Sequence, residues 1–225
     1  MKMEAYMFPV MVAYGLRSDA MIMIRQSYMR RVMKTAGESS TSSGLGDLFI
    51  LGKYRLTRIN TSTYTLGIAP TLGIELPTGE DRISSDSYDL RYGILLSGRS
   101  NSWGIDLNLT YAWNGIALTD NTDIDPGDEI AVEAAVSRQV SVGETADIAV
   151  APVLESSYQK RDADISNGVR IGNTGESLLL LAPGLKLTRG SFILEGLVQF
   201  PIWQDHEGSQ TKRQTSVLLG VRLMN

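Results

Sequence analysis

The stretch WGIDLNLTYAW, residues 103–113, places Trp103, Ile105, Leu107, Leu109, Tyr111 and Trp113 on one parity and Gly104, Asp106, Asn108, Thr110 and Ala112 on the other. A strand sends successive side chains to opposite faces, so this segment is a ribbon with one apolar and one polar face. The period is 2, and no helix fits it. Aromatic rings close both ends of the apolar face. At about 3.3 Å per residue and about 45° of tilt, the two tryptophans stand roughly 24 Å apart along a membrane normal, close to the ~25 Å apolar band of an outer-membrane barrel. Indole rings favour such a boundary, where the ring body stays dry and the N–H meets water. A half-buried strand of a soluble sandwich would show the same alternation, so the rest of the chain has to decide.

The pattern recurs. In YTLGIAPTLGIEL, Leu66, Ile68, Pro70, Leu72, Ile74 and Leu76 oppose Gly67, Ala69, Thr71, Gly73 and Glu75; in ADIAVAPVLE, Ile148, Val150, Pro152 and Leu154 oppose Asp147, Ala149, Ala151 and Glu155. LLLLAPGLKL is apolar on both parities near its start. Eleven strands are predicted, over about 4–14, 20–33, 46–58, 63–76, 89–99, 103–115, 128–140, 145–158, 177–188, 191–203 and 214–224, with no helix or linker between them, hence a single domain over 1–225. Connections alternate between short (GLRSD, INTS, RSNS, SVGE, RGS) and long and polar (34–45, 77–88, 115–127, 159–176, 204–213). Short turns on one rim and long loops on the other are the habit of a transmembrane barrel, with the short turns in the periplasm. Greek-key sandwiches mix connection lengths instead.

Composition permits this. The chain of 225 residues is 43% hydrophobic and 20% charged, with net charge −4 and mean hydropathy −0.05. No window approaches the ~18 apolar residues of a membrane helix, but a barrel hides its apolar residues at alternate positions. Without cysteine there is no disulfide framework or thiolate metal site, and the acidic balance argues against nucleic acid. MKMEAYMFPVMVAYG lacks the continuous apolar core and small-residue cleavage site of a secretory signal. The first connection is short, so the first strand runs down into the periplasm, whereas bacterial barrels start and end there with an even count. Eleven strands therefore imply a twelfth before Met1, lost together with the signal peptide.

SGLGDLFILGKYRL (43–56), LPTGE (76–80), APGLK (182–186) and VQFPIWQ (198–204) resemble the outer-membrane barrel family of the MetA pathway of phenol degradation. The resemblance implies a transporter-like barrel in the outer membrane of a Gram-negative bacterium, handling small molecules, aromatic or apolar ones among them. Such barrels usually finish on an aromatic residue; this chain ends VRLMN.

If the apolar parity meets lipid, the other lines a lumen: Asp47, Lys53, Arg55, Glu75, Arg91, Asp106, Glu133, Asp147, Glu155, Lys186, Glu195 and Arg222. Both signs are present, and charges in a low-dielectric interior either pair or sit in water. Glu195 is expected diagonal to Lys186, with Arg222 on the next strand; the set either stiffens and plugs the barrel or contacts solute. Pro70, Pro152 and Pro183 fall inside strands, as do Pro9 and Pro201. Proline cannot donate to a ladder, so each should mark a bulge, or a gap in the wall through which an apolar solute leaves sideways.

Catalytic and metal sites are not expected, nor a cofactor. The single histidine, His206, is expected in the polar loop DHEGSQ with Ser209 nearby, a weak case for a phospholipase-type outer-membrane enzyme. DNTDIDPGDE (120–129) lacks calcium-loop spacing and suits a solvated loop bridging lipopolysaccharide. GLGD opens a strand, not a helix, so it is no phosphate loop. The expected partners are outer-membrane lipid, lipopolysaccharide and a small solute. A soluble lipocalin-like ligand-binding barrel remains the alternative, since parity alone does not distinguish inside from outside.

Overall fold

The computed structural model describes residues 2–35, 38–119, 122–142 and 148–224. In chain order its strands are β1 (Lys2–Gly15), β2 (Ala20–Thr35), β3 (Glu38–Leu45), β4 (Leu48–Tyr54), β5 (Thr57–Asn60) and β6 (Tyr64–Leu76). Next come β7 (Asp89–Ser100), β8 (Trp103–Trp113), β9 (Ala117–Thr119), β10 (Thr122–Asp125), β11 (Glu129–Arg138) and β12 (Val140–Val142). The last are β13 (Ile148–Arg161), β14 (Ile165–Ser166), β15 (Val169–Arg170), β16 (Glu176–Arg189), β17 (Phe192–His206) and β18 (Ser216–Leu223).

Eleven of these form one antiparallel path, β1-β2-β4-β6-β7-β8-β11-β13-β16-β17-β18, with β3, β5 and β12 pairing alongside β2, β6 and β13. All eleven expected strands are present. The sheet curls into a half-barrel. From β8 to β18 is five strand steps, about 24 Å if flat, yet Asp106 of β8 and Leu218 of β18 line one hollow of about 230 Å³. β1 and β18 run the same way along this path and do not pair; they flank a gap.

Curvature settles which face is which. Along β8 the apolar parity is the exposed one, while Gly104 and Ala112 are buried and Asp106, Asn108 and Thr110 half-buried. The apolar parity is therefore convex, the reverse of a lipocalin. Trp103 (50% exposed) and Trp113 (44%) stand at opposite ends of that convex face. Exposed Tyr14, Tyr54, Tyr64 and Phe192 ring the short-turn end near Trp103, and Tyr28, Tyr92, Tyr111, Tyr158 and Trp203 ring the long-loop end near Trp113. That is the pair of aromatic girdles a bilayer-spanning wall carries. Among the described residues, Leu178 is the one large side chain that is fully buried.

Three expectations about connections are corrected. Residues 38–45 form β3, which extends the β2 hairpin from Tyr28↔Leu45 to Thr35↔Glu38. The expected loops 115–127 and 159–176 instead meet in a second sheet, β15-β14-β10-β9; Gly127 permits this, since a Cβ there would fall against the Asp162 carbonyl. The expected strand 46–58 is broken twice. Between Gly46 N–H donating to Ser27 O (2.8 Å) and Phe49↔Arg25, Asp47 and Leu48 oppose Gln26 alone, a bulge. Between Lys53↔Thr71 and Thr57↔Ile68, residues 54–56 oppose Ala69 and Pro70, a second bulge.

The prolines thus split. At Pro70 the extra residue sits on the partner strand, while the ladder to β7 runs through Pro70↔Ile94 unbroken. Pro152 causes no register shift; β13 pairs β16 through Pro152↔Leu185, and on its other side the ladder stops at Ser137↔Val153 and resumes at Val140↔Val150. The ladder from β16 to β17 skips Ala182 and Pro183, and its shift falls between Leu179 and Leu180, beside Pro201. An antiparallel residue directs its N–H to one neighbour only, so proline interrupts one side and leaves the other intact. Pro9 pairs with Ser27 on an edge strand, where proline is tolerated.

Candidate functional site: the concave face

The ionised residues of the concave face are placed by the alternation of each strand. Register puts Lys53, Glu75, Arg91, Asp106, Glu133, Glu155, Lys186, Glu195 and Arg222 on that face. Asp106 accepts from Arg99 Nη2 at 2.9 Å, and Glu133 accepts from Asn108 Nδ2 at 3.3 Å. Lys186 lies directly opposite Glu195, not diagonal, because the turn at Gly190–Ser191 has two residues; Arg222 reaches Glu195 at 3.8 Å. Asp106, Glu133 and Glu155 share the hollow with Asn108, Ser157, Gln159 and Gln199. Asp147 lies outside the described residues.

Two expected members face elsewhere. Arg55 follows β4 and ties the short turn after β1, its Nη2 donating to Ser18 O (2.7 Å) and its N–H to Asp19 O (2.7 Å). Asp47, in the bulge, turns to the loop 77–88. Its Oδ1 accepts from Gly79 N–H (2.8 Å) and Ser84 Oγ (2.7 Å), and its Oδ2 from Ser85 N–H (2.7 Å) and Ser85 Oγ (3.0 Å). Burial pushes the Asp47 carboxyl up, but these hydrogen bonds outweigh it and hold the group below the usual carboxylate range. Glu80 N–H donates to Leu45 O (2.9 Å), Leu45 N–H to Glu80 Oε1 (3.0 Å) and Leu48 N–H to Thr78 Oγ1 (3.1 Å). The motifs GLGDL and LPTGE are the two halves of one clasp at the long-loop rim.

Below the clasp, Arg25 and Phe49, which the sequence pattern does not single out, join the expected Glu75 and Arg91 in one cluster. Arg25 Nη2 meets Glu75 Oε2 at 3.2 Å, and the Arg25 and Arg91 guanidinium carbons lie 4.7 Å and 5.7 Å from the Phe49 ring centre. Phe49 shares parity with Lys53, and Arg25 with Met21 and Met23 on β2, so alternation carried the signal. Gly73 makes room for the ring: a Cβ there would stand 2.5 Å from Phe49 Cζ. Gly73→Ala should therefore cost about 1–3 kcal/mol through overpacking, read as a lower temperature for loss of heat-modifiable gel migration.

His206 is corrected from loop to strand: it ends β17 on the concave side, its Nε2 3.6 Å from Glu176 Oε2. Ser209 offers its backbone N–H to Asn173 Oδ1 (2.7 Å), and among the described residues no hydrogen bond joins it to His206. Of the acidic run, Asp128 accepts from Tyr111 O–H and from Asn114 N–H (3.1 Å). No group of three or more His, Cys, Asp or Glu placed to hold a metal occurs among the described residues.

An apolar, aromatic-girdled convex face around a polar, ionised concave face defines an antiparallel β-barrel wall of the outer-membrane type. The family model described as "Putative MetA-pathway of phenol degradation" matches residues 4–194, and the chain belongs to that family. Among solved structures it is similar to the COG4313 outer membrane channel from Pseudomonas putida F1, with TM-score 0.73 and 12% identity, covering 97% of this chain and 81% of that one. No curated protein matches the sequence.

Proposed function

We propose that this chain is the wall of a channel in the outer membrane of a Gram-negative bacterium that passes small solutes without catalysis or cofactor. Its partners are membrane lipid and lipopolysaccharide outside and solute within. One observation carries the reading: apolar side chains cover the convex face, and ionised ones line the hollow of the concave face. The edges β1 and β18 run parallel, so any antiparallel closure between them takes an odd number of further strands. The lumen set then governs passage, with Glu133 and Glu155 ion-paired to no cation among the described residues. In planar bilayers Glu133→Gln with Glu155→Gln should lower the cation-to-anion permeability ratio by roughly twofold or more, while Lys53→Gln with Arg91→Gln should raise it. Unchanged selectivity in both would remove the lumen from the permeation path.

The ladder gaps beside Pro70, Pro152 and Pro183 favour a second route, sideways exit of apolar solutes through the wall. Replacing all three with Val supplies ladder donors. Uptake of a phenolic solute should fall while ion conductance stays; normal uptake would eliminate the route.

A further inference from the structure

Seven of the nine methionines occupy one face at the β1 edge. The unbroken β1–β2 register sets Met3 opposite Met33 and Met7 opposite Met29, with Met11 opposite Arg25; Met21 and Met23 share parity with Arg25, so all seven lie on the concave side. The wall strand β4 leaves β2 at Arg25↔Phe49, and beyond it β1, β2 and β3 continue past the clasp as a three-stranded flap on the long-loop side.

Arg31 sits in the middle of that flap. Its cross-strand partners are Ala5 on β1 and Ser42 on β3, and Met29 and Met33 flank it two residues away on the same face. Met3 and Met7 occupy the diagonals. Such neighbours lie about 5–7 Å apart, so four methionines share the face around Arg31, with the Met29 sulfur lying over Gly46. Arg31 has no hydrogen bond or ion pair among the described residues, which leaves its five donors free. Glu80, whose side chain lies over Gly44 at this corner, is engaged by Leu45 N–H (3.0 Å). Met3, Met7 and Met33 are exposed. Thioethers are apolar, polarizable and conformationally adaptable, so they accept tails of varied shape; the guanidinium prefers a planar carboxylate, which it binds bidentately.

We propose that Arg31 with Met3, Met7, Met29 and Met33 forms a landing site at the channel mouth for a small amphiphilic carboxylate, head on Arg31 and tail across the methionines. The proposal rests on the channel reading for its place in transport. The test uses the full chain in lipid nanodiscs, with calorimetric titration of octanoate, octan-1-ol and octylammonium against empty nanodiscs. Octanoate should bind about tenfold more tightly than octanol, and octylammonium more weakly than either. Arg31→Gln should erase the preference for octanoate, whereas Arg30→Gln, on the opposite face, should keep it. Met7→Gln with Met33→Gln should weaken octanoate and octanol alike. Equal binding of octanoate and octanol by the unaltered protein, or a preference surviving Arg31→Gln, overturns the site. Single-channel conductance of the same preparations separates the two claims: a conducting protein that does not prefer octanoate refutes the landing site alone. A protein that prefers octanoate through Arg31 but does not conduct refutes the channel and leaves the binding site standing.

Discussion

Asp47→Ala should open the loop 77–88 without unfolding the wall. The change deletes the acceptor of four donors, from Gly79, Ser84 and Ser85, and leaves those groups unsatisfied, a local cost of about 3 kcal/mol. Because 1.4 kcal/mol is tenfold in population, the open form of the loop should rise by roughly a hundredfold, and proteolysis of a transiently open segment follows that population. Trypsin cleavage after Arg82, an exposed residue at φ 70° inside the loop, should accelerate accordingly, with β-sheet circular dichroism unchanged. The pH dependence has a fixed sign. The folded carboxyl titrates below its ordinary range, so the clasp is fully stabilised above the unfolded value of about 3.9 and weakens as pH falls through the folded value. Amide protection at Gly79 and Ser85 should persist from neutral pH down to about 4 and decline progressively below it. Loss already near pH 6 would assign the clasp to some other group.

Two neighbouring substitutions should have opposite consequences. Leu107 and Asn108 are adjacent on β8, one convex and one concave. Leu107→Arg places a charge in the bilayer midplane and should cost about 2–4 kcal/mol, enough to block assembly or lower the gel-migration transition sharply. Asn108→Arg adds the same charge one position along, beside Glu133 and Asp106, and should fold normally while shifting selectivity toward anions. Equal tolerance of both substitutions is incompatible with a lipid-facing parity.

Strand positions and faces were legible because period-2 alternation persists over ten or more residues wherever one face meets lipid and the other water. Outside that slab the constraint lapses. β3, ESSTSSGL, is polar on both parities and reads as a loop although it pairs over its whole length. The small second sheet is made of strands of two to four residues, too short for any period. Bulges were the harder loss. One extra residue at Asp47 swaps the concave parity from Gly44, Ser42 and Ser40 in β3 to Phe49, Leu51 and Lys53 in β4, so a single alternation drawn through GLGDLFILGKYRL put Asp47 in the lumen. The clasp needed the pairing of β4 with β6, which brings residues 45–48 to residues 76–80 across some thirty positions of chain. Arg31 does not stand out in the sequence because its segment carries cations on both parities, Arg30 and Lys34 outward and Arg31 inward; only the register separates them.

All three tryptophans, Trp103, Trp113 and Trp203, lie on the apolar convex face that is proposed to meet lipid, each half-exposed. Reconstitution into bilayers of phospholipid brominated along the acyl chain, with bromine depth varied, tests that contact with no mutation at all. If the convex face meets lipid, all three indoles should be strongly quenched, most with bromine near the headgroups and weakly with bromine at the bilayer centre, with little quenching by aqueous iodide admitted only to the lumen. Quenching by iodide without quenching by brominated lipid, or a monodisperse protein in detergent-free buffer, would contradict it.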